Sequence, residues 1–560
     1  MKTNDLPIGI ENYEAAASKY YIDKTLMVRD LIEKGEGKAI LLTRPRRFGK
    51  SLALSMVEHF FDIKRESRQL FEGKNIAKER GAVTANMNKY PVIHLNMKGI
   101  EGDAAQAILA RTKDRIFLLY RQYPELLESP FLDEIERQEF DSVYKKEADD
   151  ILLFSSLRRL SGFLRKHYGQ KVVLLIDEYD TPIESAYEHD CYDEVMAFFK
   201  PFYGDALKGN DDLYFSLVSG VLQISKESLF SGLNNLVVSS IGSTFLSSYF
   251  GFDEAEVCQI LDDFSIPLEY ETVSAHYGGY YLPGGKEVCN PWSILNFVQE
   301  RKFRPYWANT GTNALLKDVL QLAGPGAGLL DFLNNGSKKA RFSPSISYAD
   351  LAHTSEASLS FLAQTGYLTM VGNNDDFVDD TYEFRIPNKE IYDVFRTEII
   401  GRAVNTQDMS AALRLKTALL NRNEKEITSV LDEYLLSSLS YYDLGDERNY
   451  HNAITGLLSV LFDTHIVRNE VNAGKGRCDI MISPKQSGDF GIVIEIKLSK
   501  SKSQISKARL FALAQKALDQ IREKGYTEPL IRQGCKEVLL YGLALWGKES
   551  ALASDKMQLN

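Results

Sequence analysis

A lysine, a serine and a pair of carboxylates stand at spacings that could hold a polyphosphate. The stretch ILLTRPRRFGKS (40–51) runs from an apolar segment through a short loop into SLALSMVEHFFDIK, so Gly49, Lys50 and Ser51 fall where a helix begins. Backbone N–H groups of Arg46, Arg47, Phe48 and Gly49, with the helix N-terminus, can cradle phosphate oxygens there. Lys50 can neutralise the β and γ charge, and the Ser51 hydroxyl can ligate Mg2+. A GKS tripeptide alone would serve equally as a plain helix start, so a second element has to decide. VVLLID (172–177) supplies it: an apolar run that delivers Asp177 and Glu178 at its C-terminal end. Asp177 is placed to hold Mg2+ through water, and Glu178 to orient and polarise the attacking water. The pair predicts ATP binding and hydrolysis. Arg44 occupies the first glycine position of GxxxxGK[ST], so its side chain must point away from the phosphates. Arg46 and Arg47 could contact phosphates, complete a neighbouring subunit's site in a homo-oligomer, or offset acidic neighbours. Ser219 stands where a γ-phosphate sensor would sit, and a buried serine against the adjacent strand fits the position equally.

A second constellation lies near the C-terminus. In GRCDIMISPKQSGDFGIVIEIKLSK, Asp479 precedes Glu495-Ile496-Lys497. Residues i and i+2 of a strand share a face, so Glu495 and Lys497 project together while Ile494 and Ile496 pack behind. Two carboxylates converging with a lysine can hold Mg2+ or Mn2+, which activates water and stabilises charge developing on a phosphate. Asp479 and Glu495 are the expected metal ligands, with Lys497 assisting and Glu470 as a candidate accessory ligand. A same-face Glu–Lys ion pair is the plainer reading of ExK alone. From 497 to 536 the segment is strongly basic, with Lys497, Lys500, Lys502, Lys507, Arg509, Lys516, Arg522, Lys524, Arg532 and Lys536 against Asp519, Glu523 and Glu528. One-signed charge beside a metal site suits a nucleic-acid path.

Positioning these residues requires alternating strands and helices. KAILLTR, PVIHLNM, VVLLID, LYFSLVSG and NLVVSSIG read as five strands with amphipathic helices between them, a doubly wound α/β arrangement. From 252 to about 397 the pattern turns to short helices, a turn-rich passage (GGYYLPGGKEVCNPWS), and a hairpin, GYLTMV and YEFRIPN, joined by GNNDDFVDDT: a winged-helix-like region. Residues 405–465 read as helical. Strands near HIVRNEVN, RCDIMISP and GIVIEIKL, a long helix to Gly525 and the strand KEVLLYGLALW follow. The expected domains are 1–250, 251–400 and 401–560.

Composition narrows the classes. The chain has 560 residues, 44% hydrophobic and 26% charged, and a net charge of −11. That balance excludes a general polyanion binder, since nucleic-acid affinity comes largely from Lys and Arg. No stretch approaches the ~20 apolar residues of a membrane span, no secretory leader is evident, and five scattered cysteines argue against a disulfide framework or a zinc site. A cytoplasmic protein without membrane partners is expected.

At RPRRFGKS, LIDEYDTPI and SKESLFSGLNNL, and again at YYIDKT, YPVIHLNMK, FGFDEAEV, NPWSILNF, YWANTG, GYLT and IPN, the sequence resembles a bacterial AAA-ATPase-like family. In that family the Arg at position 44 is the usual form, and a C-terminal PD-(D/E)xK nuclease-like domain is typical. Asp479, Glu495 and Lys497 resemble that nuclease motif, with Cys478 in place of the usual proline. The resemblance implies a restriction-endonuclease-like α/β domain and adds Gln520, on the long helix, as a polar group near the metal, with Tyr526 in the same segment. The expected function is ATP binding and hydrolysis coupled to a metal-dependent nuclease acting on DNA. The alternatives are a nucleotide-switched nucleic-acid-binding or regulatory protein with an inactive nuclease-like domain, and an ATPase acting on proteins.

Overall fold

A computed structural model describes residues 5–224, 229–230, 233–307, 336–345, 355–372, 381–395, 410–438, 464–486, 488–499 and 505–558, with 450, 454, 457–458, 461 and 501. SKES (225–228), ANTG after Trp307, the hairpin loop 373–380, and Lys500 and Lys502 lie outside the described residues, as does the side chain of Glu470. The chain divides into two compact units. The first comprises residues 1–322 and 339–391; the second comprises 323–338 and 392–560.

In the first unit β1 (Ala39–Thr43), β2 (Val92–Asn96), β3 (Val172–Asp177), β4 (Leu213–Gly220) and β5 (Leu236–Ser239) form a parallel sheet ordered β2-β3-β4-β1-β5. β1, β3 and β4 are buried along their whole length. Their near-continuous Val, Leu and Ile content is what a strand covered on both faces requires. Helix Lys50–Phe61 follows β1 directly and buries Leu54, Val57, Phe60 and Phe61 in the core. Each such aromatic contributes about 1.5–3 kcal/mol by leaving water, which fixes the helix, and with it the loop ahead of it, onto the sheet. Register brings Leu42 beside Ser219 and Ile176 beside Val218, so the carboxyl ends of β1, β3 and β4 open on one edge. Ligands of open α/β sheets bind at that edge.

Past the sheet, helices Glu254–Asp263, Tyr270–Tyr277 and Pro291–Glu300 pack around their own core. The turn-rich passage contains a small hairpin not expected from the sequence, β6 (Tyr280–Tyr281) with β7 (Glu287–Val288). β8 (Ser337–Arg341), β9 (Thr369–Val371) and β10 (Thr381–Arg385) form a sheet ordered β8-β10-β9, with helix Ser355–Thr365 between β8 and β9 in the chain.

In the second unit β11 (His465–Ala473), β12 (Gly476–Pro484), β13 (Gly491–Leu498), β14 (Glu537–Trp546) and β15 (Glu549–Gln558) form a mixed sheet in sequence order. β13 and β14 are parallel, and helix Lys507–Lys524 makes the crossover. Gly542 of β14 lets this helix approach closely: a Cβ there would lie 2.2 Å from the Ala514 carbonyl oxygen. β15 was not foreseen. Its ESALASDKMQ has no strong apolar alternation, and ten register pairs with β14 hold it in the sheet. Among the described residues no helix is long and apolar enough to cross a membrane, and all five cysteines are free.

Candidate functional site

The phosphate-type loop closes on itself. Gly49 takes φ +87°, which an L side chain rarely adopts, and Arg47 takes φ +68°, a strained setting for an arginine. Lys50 Nζ donates to the carbonyls of Arg44 (2.9 Å) and Pro45 (3.0 Å), curling the loop around the ammonium. Burial pulls the Lys50 pKa down to about 8, against the opposing pull of Asp180, Asp177 and Glu178. A buried ammonium at the start of a helix is an arrangement that suits a phosphate group.

Arg44 points away from the loop interior. Its guanidinium is buried, donates to Thr43 O (2.7 Å) and Ser239 O (2.6 Å), and lies 5.1 Å from the Phe250 ring centroid. Arg46 pairs with Glu184 Oε1 at 2.6 Å, one of the three roles open to it from sequence. Glu184 was not foreseen: it lies one helical turn past the DEYD segment, and nothing local in the sequence marks it. Burial raises its carboxyl to about 7. Arg47 stacks over Trp292, its guanidinium carbon 4.3 Å from the ring centroid.

At the end of β3, one strand removed from β1, Asp177 is buried. Oδ1 accepts from the Ser219 hydroxyl and from Glu178 N (3.1 Å), while Oδ2 has no hydrogen-bond partner. A buried, unpartnered carboxylate oxygen beside a phosphate loop fits a hydrated Mg2+. Glu178 sits at φ +53°, and burial with the like charge of Asp177 pushes its carboxyl upward. Asp180 instead accepts from the amides of Val221 (2.7 Å) and Leu222 (3.0 Å), fixing the chain after β4. A cavity of about 620 Å3 joins these parts, lined by Arg46 to Ser51, Glu178, Asp180, Glu184 and Trp292 among others. That volume lies within the usual range for small-molecule and cofactor sites.

The C-terminal constellation is also assembled. Asp479 and Glu495 lie next to the Ile480–Ile494 pair of antiparallel β12 and β13. Asp479 Oδ2 accepts from Ile496 N (2.6 Å), and Asp479 N reaches Glu495 Oε2 at 3.4 Å. Glu495 is 2% exposed; Lys497 Nζ is 3.5 Å from its Oε1, and Gln520 Nε2 donates to the same oxygen. The crossover helix ends at Gly525, φ +66°, which turns Tyr526 back so that its hydroxyl accepts from Gln520 at 3.2 Å. Burial first, then Asp479, raises Glu495 to about 7, with Lys497 opposing. Two carboxylates in mutual repulsion fit a divalent cation, whose remaining positions water and phosphate oxygens can fill. Asp479, Glu495, Lys497 and Gln520 are therefore brought together. The basic stripe is partly neutralised: Arg522 pairs with Asp519 and with Asp555 of β15, and Arg532 with Glu528.

Comparison with known proteins recovers both domains. Residues 7–230 match the family model described as a predicted AAA-ATPase, and residues 445–554 match a PD-(D/E)XK nuclease superfamily model. A protein of Azotobacter chroococcum mcd 1, described as "Uncharacterized protein in vnfD 5'region", is 29% identical over 405 residues, spanning 70% of this chain and 69% of that one. The chain thus joins an AAA-ATPase-like module to a domain of the PD-(D/E)XK nuclease superfamily.

Proposed function

We propose that the first unit binds and hydrolyses ATP with Mg2+, and that the C-terminal domain is a metal-dependent phosphodiesterase that cuts DNA under the control of that nucleotide. The observation that carries the first half is the buried Lys50 ammonium lining the cavity, with the unpartnered Asp177 Oδ2 one residue before the cavity-lining Glu178. Arg46 to Ser51 would hold the phosphates, Ser51 and Asp177 the metal, and Glu178 would take the proton of the attacking water. A bound Mg2+ would neutralise phosphate charge there. The second half rests on the convergence of Asp479, Glu495, Lys497 and Gln520. Asp479 and Glu495 would hold Mg2+ or Mn2+ and Lys497 would neutralise the scissile phosphate. Gln520 and Tyr526 would keep the Glu495 carboxylate oriented.

The test is the purified full chain with plasmid and single-stranded DNA, with and without Mg2+, Mn2+ and ATP, beside its Lys50→Ala and Asp479→Ala forms. Cleavage that needs metal and Asp479, with ATP binding that needs Lys50, is the expected result. Parent protein that binds DNA and never cuts it under any of these conditions replaces the reading with a nucleotide-switched binding protein. Equal ATP affinity of Lys50→Ala and parent removes the nucleotide reading.

A further inference from the structure

The segment Arg44–Phe48 does not hold its shape alone. Beyond the Arg44 contacts to Ser239 and Phe250 and the Arg46–Glu184 pair, four of its contacts come from Tyr280, Trp292, Trp307 and Gly366, which lie past the parallel sheet in sequence. Arg47, at φ +68°, lays its guanidinium over Trp292. The Trp307 indole N–H donates to Arg46 O at 3.1 Å. Phe48 meets Tyr280 edge-on, centroids 5.1 Å apart. Pro45 packs on Gly366, where an added Cβ would come within 2.8 Å of Pro45 Cβ. Trp307 is itself anchored by its backbone N–H to Glu390 Oε1 at 2.6 Å. The same region reaches the other phosphate-side loop, since Gln364 Oε1 accepts from Gln223 N just past β4, where Asp180 holds the preceding amides.

These contacts absorb motifs that neither proposed reaction uses: Trp292 lies in NPWSILNF, Trp307 in YWANTG and Gly366 in GYLT. In a loop whose first glycine is Arg44 and whose Arg47 is strained, external contacts must supply the restraint that glycines and a short turn supply elsewhere. We propose that Trp292 and Trp307 are positioning residues for the nucleotide: they hold the loop amides and Arg47 in the phosphate-accepting shape, and nucleotide binding is thereby coupled to how the elements carrying Tyr280, Trp292, Trp307 and Gly366 dock on the loop. The proposal rests on the ATP reading of this cavity. Linkage makes the coupling reciprocal, so whatever loosens the docking weakens nucleotide binding, and nucleotide changes the environment of both indoles.

The chain has three tryptophans, and the third, Trp546, belongs to the second unit. Intrinsic emission of the full-length Trp546→Phe form therefore reports the two loop-facing indoles. Binding is measured separately by equilibrium dialysis of Mg-ATP. The expected result is an emission change that saturates with nucleotide occupancy. Trp292→Leu and Trp307→Phe should each bind at least tenfold more weakly, while Trp292→Phe, which keeps an aromatic face under Arg47, should recover most of the affinity. Arg47→Gln should cost little more in the Trp292→Leu background, because the two side chains act as one unit. Binding without any emission change overturns the proposal and leaves the ATP reading standing. So do full affinity in Trp292→Leu and Trp307→Phe, or strictly additive losses in the Arg47–Trp292 cycle. Absence of ATP binding by the parent overturns both.

Discussion

Arg44 at the end of β1 and Ser239 at the end of β5 are joined by two hydrogen bonds, Nη1 to the Ser239 carbonyl at 2.6 Å and Nη2 to its hydroxyl at 3.1 Å. The residue that breaks the GxxxxGK[ST] pattern is thus a cross-strand tie. Burial has a cost, visible in a guanidinium pKa pulled down to about 9. Three hydrogen-bond acceptors and the Phe250 ring offset it.

Restoring the motif glycine should therefore harm the protein. Arg44→Gly leaves buried acceptors at Ser239 and a cavity against Phe250. Orphaned polar groups cost about 1–3 kcal/mol and cavities a similar amount, which together exceed the relief of one desolvated cation. A loss of roughly 3 kcal/mol, read from a denaturant midpoint, is expected, with no gain in ATP affinity. A variant as stable as the parent would show that the tie contributes nothing.

Glu178→Gln should bind ATP and fail to turn it over. On the proposed reading the carboxylate acts on the attacking water, and its hydroxyl partner, Thr181 at 3.4 Å, lies outside the loop, so affinity should stay within about threefold while kcat falls at least ~100-fold, the scale of a lost general base. Asp180, the other acid of DEYD that could take that role, is occupied by the Val221 and Leu222 amides. Asp180→Asn should therefore lower thermal stability more than it alters the trapped-ATP signature. Phosphate release and nucleotide retention on a filter separate the two.

What the sequence made legible follows from how far each signal reaches. β1, β3 and β4 announce themselves by uninterrupted apolar content, and helix Lys50–Phe61 by its position after the loop, because both properties are local. β15 is polar enough to pass for a tail; only its pairing with β14 makes it a strand. The short β6–β7 hairpin hid among turn residues for the same reason. Within the sites, Asp177, Glu178, Asp479 and Glu495 were readable because strand ends and i, i+2 spacing fix where they project. Glu184 against Arg46, Trp292 against Arg47 and Trp307 against the Arg46 carbonyl pair residues up to 261 positions apart, and no periodicity encodes such contacts.

Gln520 separates orientation from ligation at the C-terminal site. Asp479→Ala and Glu495→Ala should each abolish metal-dependent cleavage while leaving ATP affinity unchanged. Gln520→Ala removes only a donor to Glu495 Oε1 and to the Tyr526 hydroxyl. It should lower cleavage about tenfold, the usual scale for an outer-shell partner, and raise the Mn2+ needed for half-maximal rate. Gln520→Glu should fare worse than Gln520→Ala, because it adds a third negative charge beside Asp479 and Glu495. Cleavage by Gln520→Ala at the parent rate and metal requirement would remove Gln520 from the site.

Glu390 gives the first unit a pH dependence that needs no ligand. Its carboxylate is 4% exposed, accepts from Ser293 Oγ at 2.8 Å and from Trp307 N at 2.6 Å, and burial raises it from 4.5 to about 7. The folded state therefore holds this proton over a range where the unfolded chain has released it. Where the folded protein binds more protons, stability falls as pH rises, so the contribution is complete below about 4.5 and is lost as pH climbs through 7. The displacement corresponds to on the order of 3 kcal/mol at most. Glu390→Gln keeps an acceptor for Trp307 N and never ionises. Its unfolding midpoint should lie close to the parent's at pH 5 and above it at pH 8, with the slope between them reduced. Parallel stability profiles for parent and variant from pH 5 to 8 would show that Glu390 does not titrate in that window.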